Sequence, residues 1–264
     1  MMRFERAGEL TSVWLSSWRS RAIGYGVHVF LWRGVLIDTG FPTARREILR
    51  ALEELKPHGV ILTHGHEDHA GNVHAVAARN IPLWMSPLTP AVMSANVDMA
   101  AYRRFTWGRM PSGESPGITF DPSPLALLHT PGHSADHHVV WDAERETLFA
   151  ADLFLGTRVR VARPLEDPHA LLRSLRQVAA LRPREMWDAH RGRVPDPSSA
   201  LTAKADWLEA LIDRVMARVR AGEEDARIAQ RELGRPAVVD RITFGDLSRM
   251  NLVRAIRRTA TSAA

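Results

Sequence analysis

The sequence predicts an α/β protein with mixed sheets and a helical C-terminal region. Short runs rich in Val, Ile, Leu and aromatic residues, divided by Gly and Arg-Gly turns, open the chain and read as strands. The apolar period then changes to that of a helix and back again, so helices interleave with strands. After the Pro-containing stretch Val194–Ser199 the composition shifts to Ala, Leu, Glu and Arg at helical spacing.

Taken in order, Thr11–Leu15, Gly26–Trp32 and Gly34–Asp38 are the first strands. From Pro42 to Lys56 the apolar positions Ile48, Leu49, Leu52 and Leu55 recur as on one face of a helix, which Pro57 stops before the strand Val60–Thr63. A helix from His69 to Arg79 and a short strand Ile81–Trp84 follow, then a Met- and aromatic-rich insertion, Ser86–Gly117. Strands resume at Leu125–Thr130, His137–Trp141 and Thr147–Ala150, where a hairpin turning at Asp142–Arg145 makes the sheet mixed rather than parallel. A helix spans Pro168–Leu181, and three more are expected between Ser198 and Thr259, with turns near Gly222 and at Gly234-Arg235-Pro236. The division expected is a catalytic domain over 1–197 and a helical subdomain over 198–264.

Composition narrows the chemistry. With 45% hydrophobic and 25% charged residues, 17 Gly and 16 Pro, collagen, coiled coil and wholesale disorder are excluded. No cysteine is present, so disulfides, thiolate metal sites and a cysteine nucleophile are excluded, and metal or catalytic chemistry falls to His, Asp and Glu. No apolar run is long enough to span a bilayer and no cleavable leader is evident, which makes a cytoplasmic protein without a membrane partner the expectation. The net charge of +5 comes almost wholly from Arg scattered along the chain, the pattern of a solvated surface rather than a nucleic-acid footprint.

At the end of the strand Val60–Thr63 stands Thr63-His64-Gly65-His66-Glu67-Asp68-His69, followed by Ala70-Gly71-Asn72. In an extended segment His64 and His66 point to one side and can reach one cation, and the turn into the next helix swings Asp68 and His69 toward a second. Without a cation such a cluster would leave buried imidazoles competing for partners. Further candidates follow strands at loop positions: His133 in Thr130-Pro131-Gly132-His133, Asp152 after Leu148-Phe149-Ala150-Ala151, and His190 in Trp187-Asp188-Ala189-His190.

This order of His-x-His-x-Asp-His, then His, Asp and His, resembles the metallo-β-lactamase superfamily from about Gly26 to Arg193. Asp38 in Leu36-Ile37-Asp38-Thr39-Gly40 matches a further motif, whose aspartate supports the metal-binding turn from behind. The resemblance implies an αβ/βα four-layer sandwich with the metals at one edge. It implies that His64, His66 and His133 hold one metal, that Asp68, His69 and His190 hold the other, and that Asp152 bridges them. Two zinc ions are expected, iron and manganese being the other metals that a His and carboxylate set admits. The implied reaction is hydrolysis by a hydroxide bridging the two ions, with Asp68 orienting that nucleophile.

Departures within the superfamily narrow the branch. The β-lactamases proper carry Cys or Ser where Asp152 stands, flavodiiron reductases carry Glu where His66 stands, and persulfide dioxygenases hold a single iron. Lactonases of the superfamily use a tyrosine between the third His and the last, whereas the two tyrosines here, Tyr25 and Tyr102, both precede His133. Glyoxalase II binds glutathione through basic residues and a tyrosine after the bridging aspartate, where this chain has Arg158, Arg160 and Arg163 but neither Lys nor Tyr. The segments Thr130–His137 and Phe149–Gly156 resemble the β-lactamase-like-protein-2 group, whose members are described as thioester hydrolases and as endoribonucleases and whose helical tail is winged-helix-like.

The expectation is therefore a binuclear hydrolase of a small thioester, ester or lactone. A phosphodiesterase or endoribonuclease using the same centre is the alternative, for which the tail residues Arg249, Arg254, Arg257 and Arg258 would be the grip. The insertion carries Met93, Met99, Tyr102, Phe105, Trp107 and Met110 with Arg103 and Arg104, and Gly108, Pro111, Gly113 and Pro116 punctuate its end. Such a stripe is commonly plain packing, but the punctuation favours a lid overhanging the metals, whose arginines would suit a substrate bearing a negative group; core or an oligomer contact are the other readings. His137 and His138 are expected to support rather than coordinate, one of them facing away from the metals. His28, His58, His74, His129 and His169 are given no function, and no substrate-binding residue or oligomeric state is assigned.

Overall fold

The computed structural model describes residues 1–111, 120–235 and 238–260. Two sheets face each other with helices on both outer faces. The first has the order β1 (Met2–Ala7), β2 (Leu10–Leu15), β3 (Val27–Trp32), β4 (Val35–Ile37), β5 (Gly59–Ile61) and β6 (Leu83–Trp84). Its first four strands are antiparallel and its last three parallel. The second runs β11 (Gly192–Arg193), β10 (Glu185–Asp188), β9 (Thr147–Ala151), β8 (His138–Asp142) and β7 (Ala126–His129), with only β9 and β10 parallel.

Apart from the edge strand β1, both sheets are largely apolar on both faces, and the period of two sends alternate residues to different cores. Phe30, Trp32, Val35, Ile37 and Ile61 of the first sheet meet Val140, Phe149 and Trp187 of the second, forming the layer between them. Val27, Val29, Leu36 and Val60 point the other way, onto α2 (Arg45–Leu55) and α4 (Val73–Ala77) through Ile48, Leu52, Val73 and Val76. Val139, Trp141, Leu148 and Met186 pack outward on α7 (Pro168–Ala179), α8 (Pro197–Arg220), α9 (Asp225–Leu233) and α11 (Arg249–Ala260). The mixed sheets are those that the sequence pattern predicts, and the four-layer αβ/βα sandwich is the architecture that the resemblance implies.

Several elements differ from the reading of the sequence. The edge strand β1, the short helix α1 (Trp18–Ala22) and the strand β11 have no counterpart in that reading, and β10 enters it only as the strand that His190 follows. The single helix expected over His69–Arg79 is two, α3 (Glu67–Ala70) and α4, because the Asn72 amide turns back to the carbonyls of Thr39 and Phe41 at 2.8 and 2.9 Å. The C-terminal region has four helices among the described residues, α10 (Val238–Ile242) being the addition, and Pro236 of the expected turn lies outside them.

The insertion folds as α5 (Thr89–Ala95) and α6 (Ala101–Trp107), and most of its apolar stripe is core packing, with the Trp107 ring 6.4 Å from that of His190. Met93, Met99, Trp107 and Met110 are buried with Phe41 and Leu36, whereas Phe105 faces solvent. Of the residues that punctuate the end of the insertion, Gly113 and Pro116 lie outside the described residues, as does its last residue, Gly117.

Candidate metal centre

The motif turn leaves β5 at the edge where the two sheets diverge, and buried carboxylates fix its path. Asp38, in the left-handed region at φ +66°, accepts from the Thr63 amide at 2.8 Å and from the Thr63 hydroxyl through Oδ1, and from Nδ1 of His69 at 2.7 Å through Oδ2. Asp136 accepts from the Gly65 amide at 2.7 Å and from the hydroxyls of Thr89 and Ser134, so the His133 loop and the insertion are tied to the same turn. Glu67 is sealed inside the protein and paired with Arg103 of α6, whose Nε donates at 2.8 Å. Arg103 is therefore spent on the fold, which corrects its expected role toward a substrate anion, while Arg104 is exposed.

All seven expected ligands converge. His64, His66 and His133 form one triad and Asp68, His69 and His190 another, with donor atoms inside each lying within 4.8 Å of one another. In the first, Nδ1 of His66 lies 3.0 Å from Nε2 of His64 and 3.0 Å from Nε2 of His133. In the second, Nε2 of His190 lies 3.4 Å from Oδ2 of Asp68. Asp152 stands between them, with Oδ2 at 3.2 Å from Nε2 of His133 and Oδ1 at 3.3 Å from Nε2 of His69 and 3.4 Å from Nε2 of His190.

The outer nitrogens settle which imidazole atoms face inward. His69 donates from Nδ1 to Asp38, His190 from Nδ1 to the carbonyl of Gly26 at 2.8 Å, and Nδ1 of His64 lies 3.1 Å from the Thr63 hydroxyl. Each leaves Nε2 free to present a lone pair to the cluster.

Two observations test whether cations fit. Nε2 of His69 and Oδ1 of Asp152 are sealed from solvent and make no hydrogen bond, though they face each other. The electrostatics of the two triads also differ. Burial and the neighbouring imidazoles hold His64 and His66 well below the usual histidine range, so both stay neutral donors. Burial works against charge on His69 and His190 too, yet the carboxylates of Asp152 and Asp68, with Asp38 at His69, outweigh it and hold both well above that range. Burial likewise opposes ionisation of Asp68 and Asp152, and the same histidines overcome it. A cluster that recruits protons this strongly is short of positive charge, and divalent cations on its inward atoms would supply it.

His137 faces this cluster without being free to coordinate, because its Nε2 accepts from the Asp152 amide at 3.2 Å and its Nδ1 meets the Thr130 hydroxyl at 2.9 Å. His138 turns away, against Trp84 and His129. Tyr25 and Arg163, which sequence order did not single out for the site, are brought to it. The half-exposed Tyr25 ring lies 5.5 Å from that of His190, and Nη1 of Arg163 lies 3.4 Å from Nδ1 of His66 while its buried Nε has no hydrogen-bond partner. Only the topology, with the β2–β3 connection and the loop after β9 meeting at one edge, reveals them. The tail arginines are engaged elsewhere: Arg249 with Asp240, Arg254 and Arg257 with Asp225, and Arg258 with the Glu166 carbonyl. Among the described residues no helix is long and apolar enough to cross a membrane.

Comparison with known proteins agrees with this architecture. A family model of the metallo-beta-lactamase superfamily matches residues 32–208, a span that contains all seven converging residues. A beta-lactamase-like protein 2 homolog of Caenorhabditis elegans is 25% identical over 162 residues, covering 59% of this chain and 51% of that protein. The lactamase-like protein aptB of Emericella nidulans is 28% identical over 205 residues, covering 76% and 60%. This chain thus spans about half to three fifths of the length of these relatives. A solved metallo-beta-lactamase from Pontibacter korlensis shares the fold at a TM-score of 0.61 and 17% identity, over 79% of this chain and 99% of that one. Together, the matched span and the His/Asp cluster inside it imply divalent metal ions. On the sandwich, the ordered ligand motif and a family match over most of its length, the chain belongs to the metallo-beta-lactamase superfamily.

Proposed function

We propose that this chain is a metal-dependent hydrolase that holds two divalent cations, zinc for preference, and cleaves a small thioester, ester or lactone bearing an acidic group. The observation that carries the proposal is the convergence of seven His and Asp donors, two of whose atoms are buried without a hydrogen bond. Cations held there supply Lewis acidity and make hydroxide available near neutral pH.

The chain's own residues do the rest. His64, His66 and His133 would hold one ion and Asp68, His69 and His190 the other, and Asp152, whose two oxygens face His133 and His69, would serve both. Asp68 uses Oδ2 toward His190 and keeps Oδ1 4.0 Å from His69, so Oδ1 can accept a hydrogen bond from the attacking water. Its pKa is held below the usual carboxylate range, which makes it an orienting acceptor rather than a proton store. Tyr25 flanks the His190 side, where it can contact the acyl group.

Arg163 supports the acidic group. Its guanidinium stands beside His66 with Glu67, Asp68 and Glu166 favouring its charge, and its Nε, which has no hydrogen-bond partner, is the donor assigned to that group. The engagement of the tail arginines by Asp225, Asp240 and the Glu166 carbonyl favours an acyl substrate over a nucleic acid.

The test is turnover of an acyl panel (thioester, aryl ester, lactone), each with and without a carboxylate, beside a phosphodiester and a short single-stranded RNA, before and after chelation and metal restoration. Acyl cleavage that vanishes with the metal and returns with it is the expected result; cleavage of only the phosphodiester or RNA overturns the proposal. Arg163→Met should raise KM for the carboxylate-bearing substrates about 10- to 100-fold with little change in kcat, as loss of a hydrogen bond to a charged group would. Equal KM effects on neutral and acidic substrates would remove Arg163 from that role.

A further inference from the structure

Lys204 lies on α8 among Leu201, Ala205 and Leu208, in the middle of the apolar face of a helix that belongs to the opposite layer from the motif turn. It is only 2% exposed. A lysine on such a face costs stability unless its ammonium is fully engaged. Here Nζ donates to two consecutive carbonyls, Leu153 at 2.8 Å and Phe154 at a shorter distance. Those carbonyls belong to the turn that begins at Asp152.

The turn is strained at both ends, since Ala151 has φ +44° and Leu155 φ +49°, a left-handed conformation that residues with a side chain rarely adopt. It is held from outside by charge. Nε of Arg191 donates to the Leu155 carbonyl at 2.7 Å, so three successive carbonyls face cations. On the other side, buried Asp188 accepts from the Leu155 amide at 2.7 Å through Oδ2, and from the His190 amide at 2.8 Å through Oδ1. Burial draws Lys204 down to about 8, with Asp188, Glu166 and Asp152 opposing the shift, so the ammonium still donates at neutral pH.

We propose that Lys204 is a positioning residue for the metal centre: by pinning the carbonyls of Leu153 and Phe154 it holds the strained turn that aims both Asp152 oxygens, which makes α8 part of the site's support. The proposal rests on the reading of Asp152 as a ligand shared between two ions. It also predicts a sign. As a charge alone, Lys204 repels cations, and removing it would tighten metal binding; as a pin, removing it weakens binding.

The experiment is competition between the full chain and a chromophoric chelator for zinc and for manganese, with unfolding by urea followed in parallel. Lys204→Met, which keeps most of the apolar stem and removes the donors, should bind both metals about 10- to 100-fold more weakly. Lys204→Gln, whose shorter amide can serve one carbonyl, should lose less. Leu208→Ala, on the same face, should lower stability and leave metal affinity unchanged. Wild-type or tighter affinity in Lys204→Met overturns the proposal, and so does an equal loss in Leu208→Ala. If Lys204→Met does not fold, Lys204→Gln decides: a loss beyond the scatter of the wild-type titration supports the proposal, and unchanged affinity overturns it. Asp152→Ala is the reference, and its loss of metal shows that a failure of the Lys204 prediction is not a failure of the ligand reading. Wild-type binding by Asp152→Ala would overturn both.

Discussion

Asp38 touches no inward atom of the cluster, yet it sets two of them. One carboxylate oxygen holds the amide and hydroxyl of Thr63, and the other receives Nδ1–H of His69. In Asp38→Asn the amide nitrogen would oppose that N–H, or the amide oxygen would leave Thr63 unpaired. Metal affinity should fall about 10- to 100-fold by chelator competition, and affinity within error of wild type would contradict the role. Of the proposed ligands, His64, His66, Asp68 and His69 were legible because short spacing on a strand and a turn already fixes which side chains share a side, whereas His133, Asp152 and His190 were reached only through the family resemblance. The residues that shape the site's mouth were not legible. Arg163 and Tyr25 reach it through loops whose ends the sequence does not bring together, and Arg103 looks free until Glu67 is found behind it. The tyrosine rule that set Tyr25 aside was a rule of sequence order, and the fold does not keep that order.

The insertion is joined to the motif turn by one buried ion pair. Arg103 of α6 forks onto both oxygens of Glu67 in α3, and Asn96 joins Arg103 to the Gly65 carbonyl. Arg103→Met would strand the Glu67 carboxylate in the interior, so unfolding by urea should show a loss of about 3–5 kcal/mol, and a loss below about 1 kcal/mol would contradict the clamp. At this scale the sequence served best where an element is long or apolar on both faces, as in β3, β8, β9, α2 and α7. It served worst where an element is short or exposed. In β1, Met2 and Phe4 alternate with charged residues, a legible period of two that the charges obscured, and β10 is four residues with a charge at each end. The break between α3 and α4 depends on an asparagine reaching two carbonyls distant in sequence, which no helical periodicity records.

For the whole molecule, the two sheets are joined near the site by His28, whose amide donates to the Ala189 carbonyl at 2.7 Å and whose Nδ1 meets the Ser12 hydroxyl at 2.7 Å. Burial, with His190 and Arg3 nearby, lowers its pKa to about 4, so the folded protein binds fewer protons here than the unfolded chain. The stability it contributes is complete above the unfolded value near 6.5 and is lost as pH falls from there to about 4. Between pH 7 and 5 the wild type should lose about 2 kcal/mol more than His28→Gln in urea unfolding, and parallel losses would contradict this. The α/β class and the mixed sheets followed from alternation and a changing period and the four layers from the family resemblance, whereas the pairing of the sheets at one edge, which turns seven scattered residues into a cluster, came with the structure. The most direct test of the account is elemental analysis with equilibrium dialysis on the wild type, His66→Ala and Asp152→Ala. The account predicts two divalent ions per chain in the wild type, loss of one in His66→Ala and loss of both at matched concentration in Asp152→Ala. A wild type that holds no ion, or an Asp152→Ala that holds as many as the wild type, would contradict it.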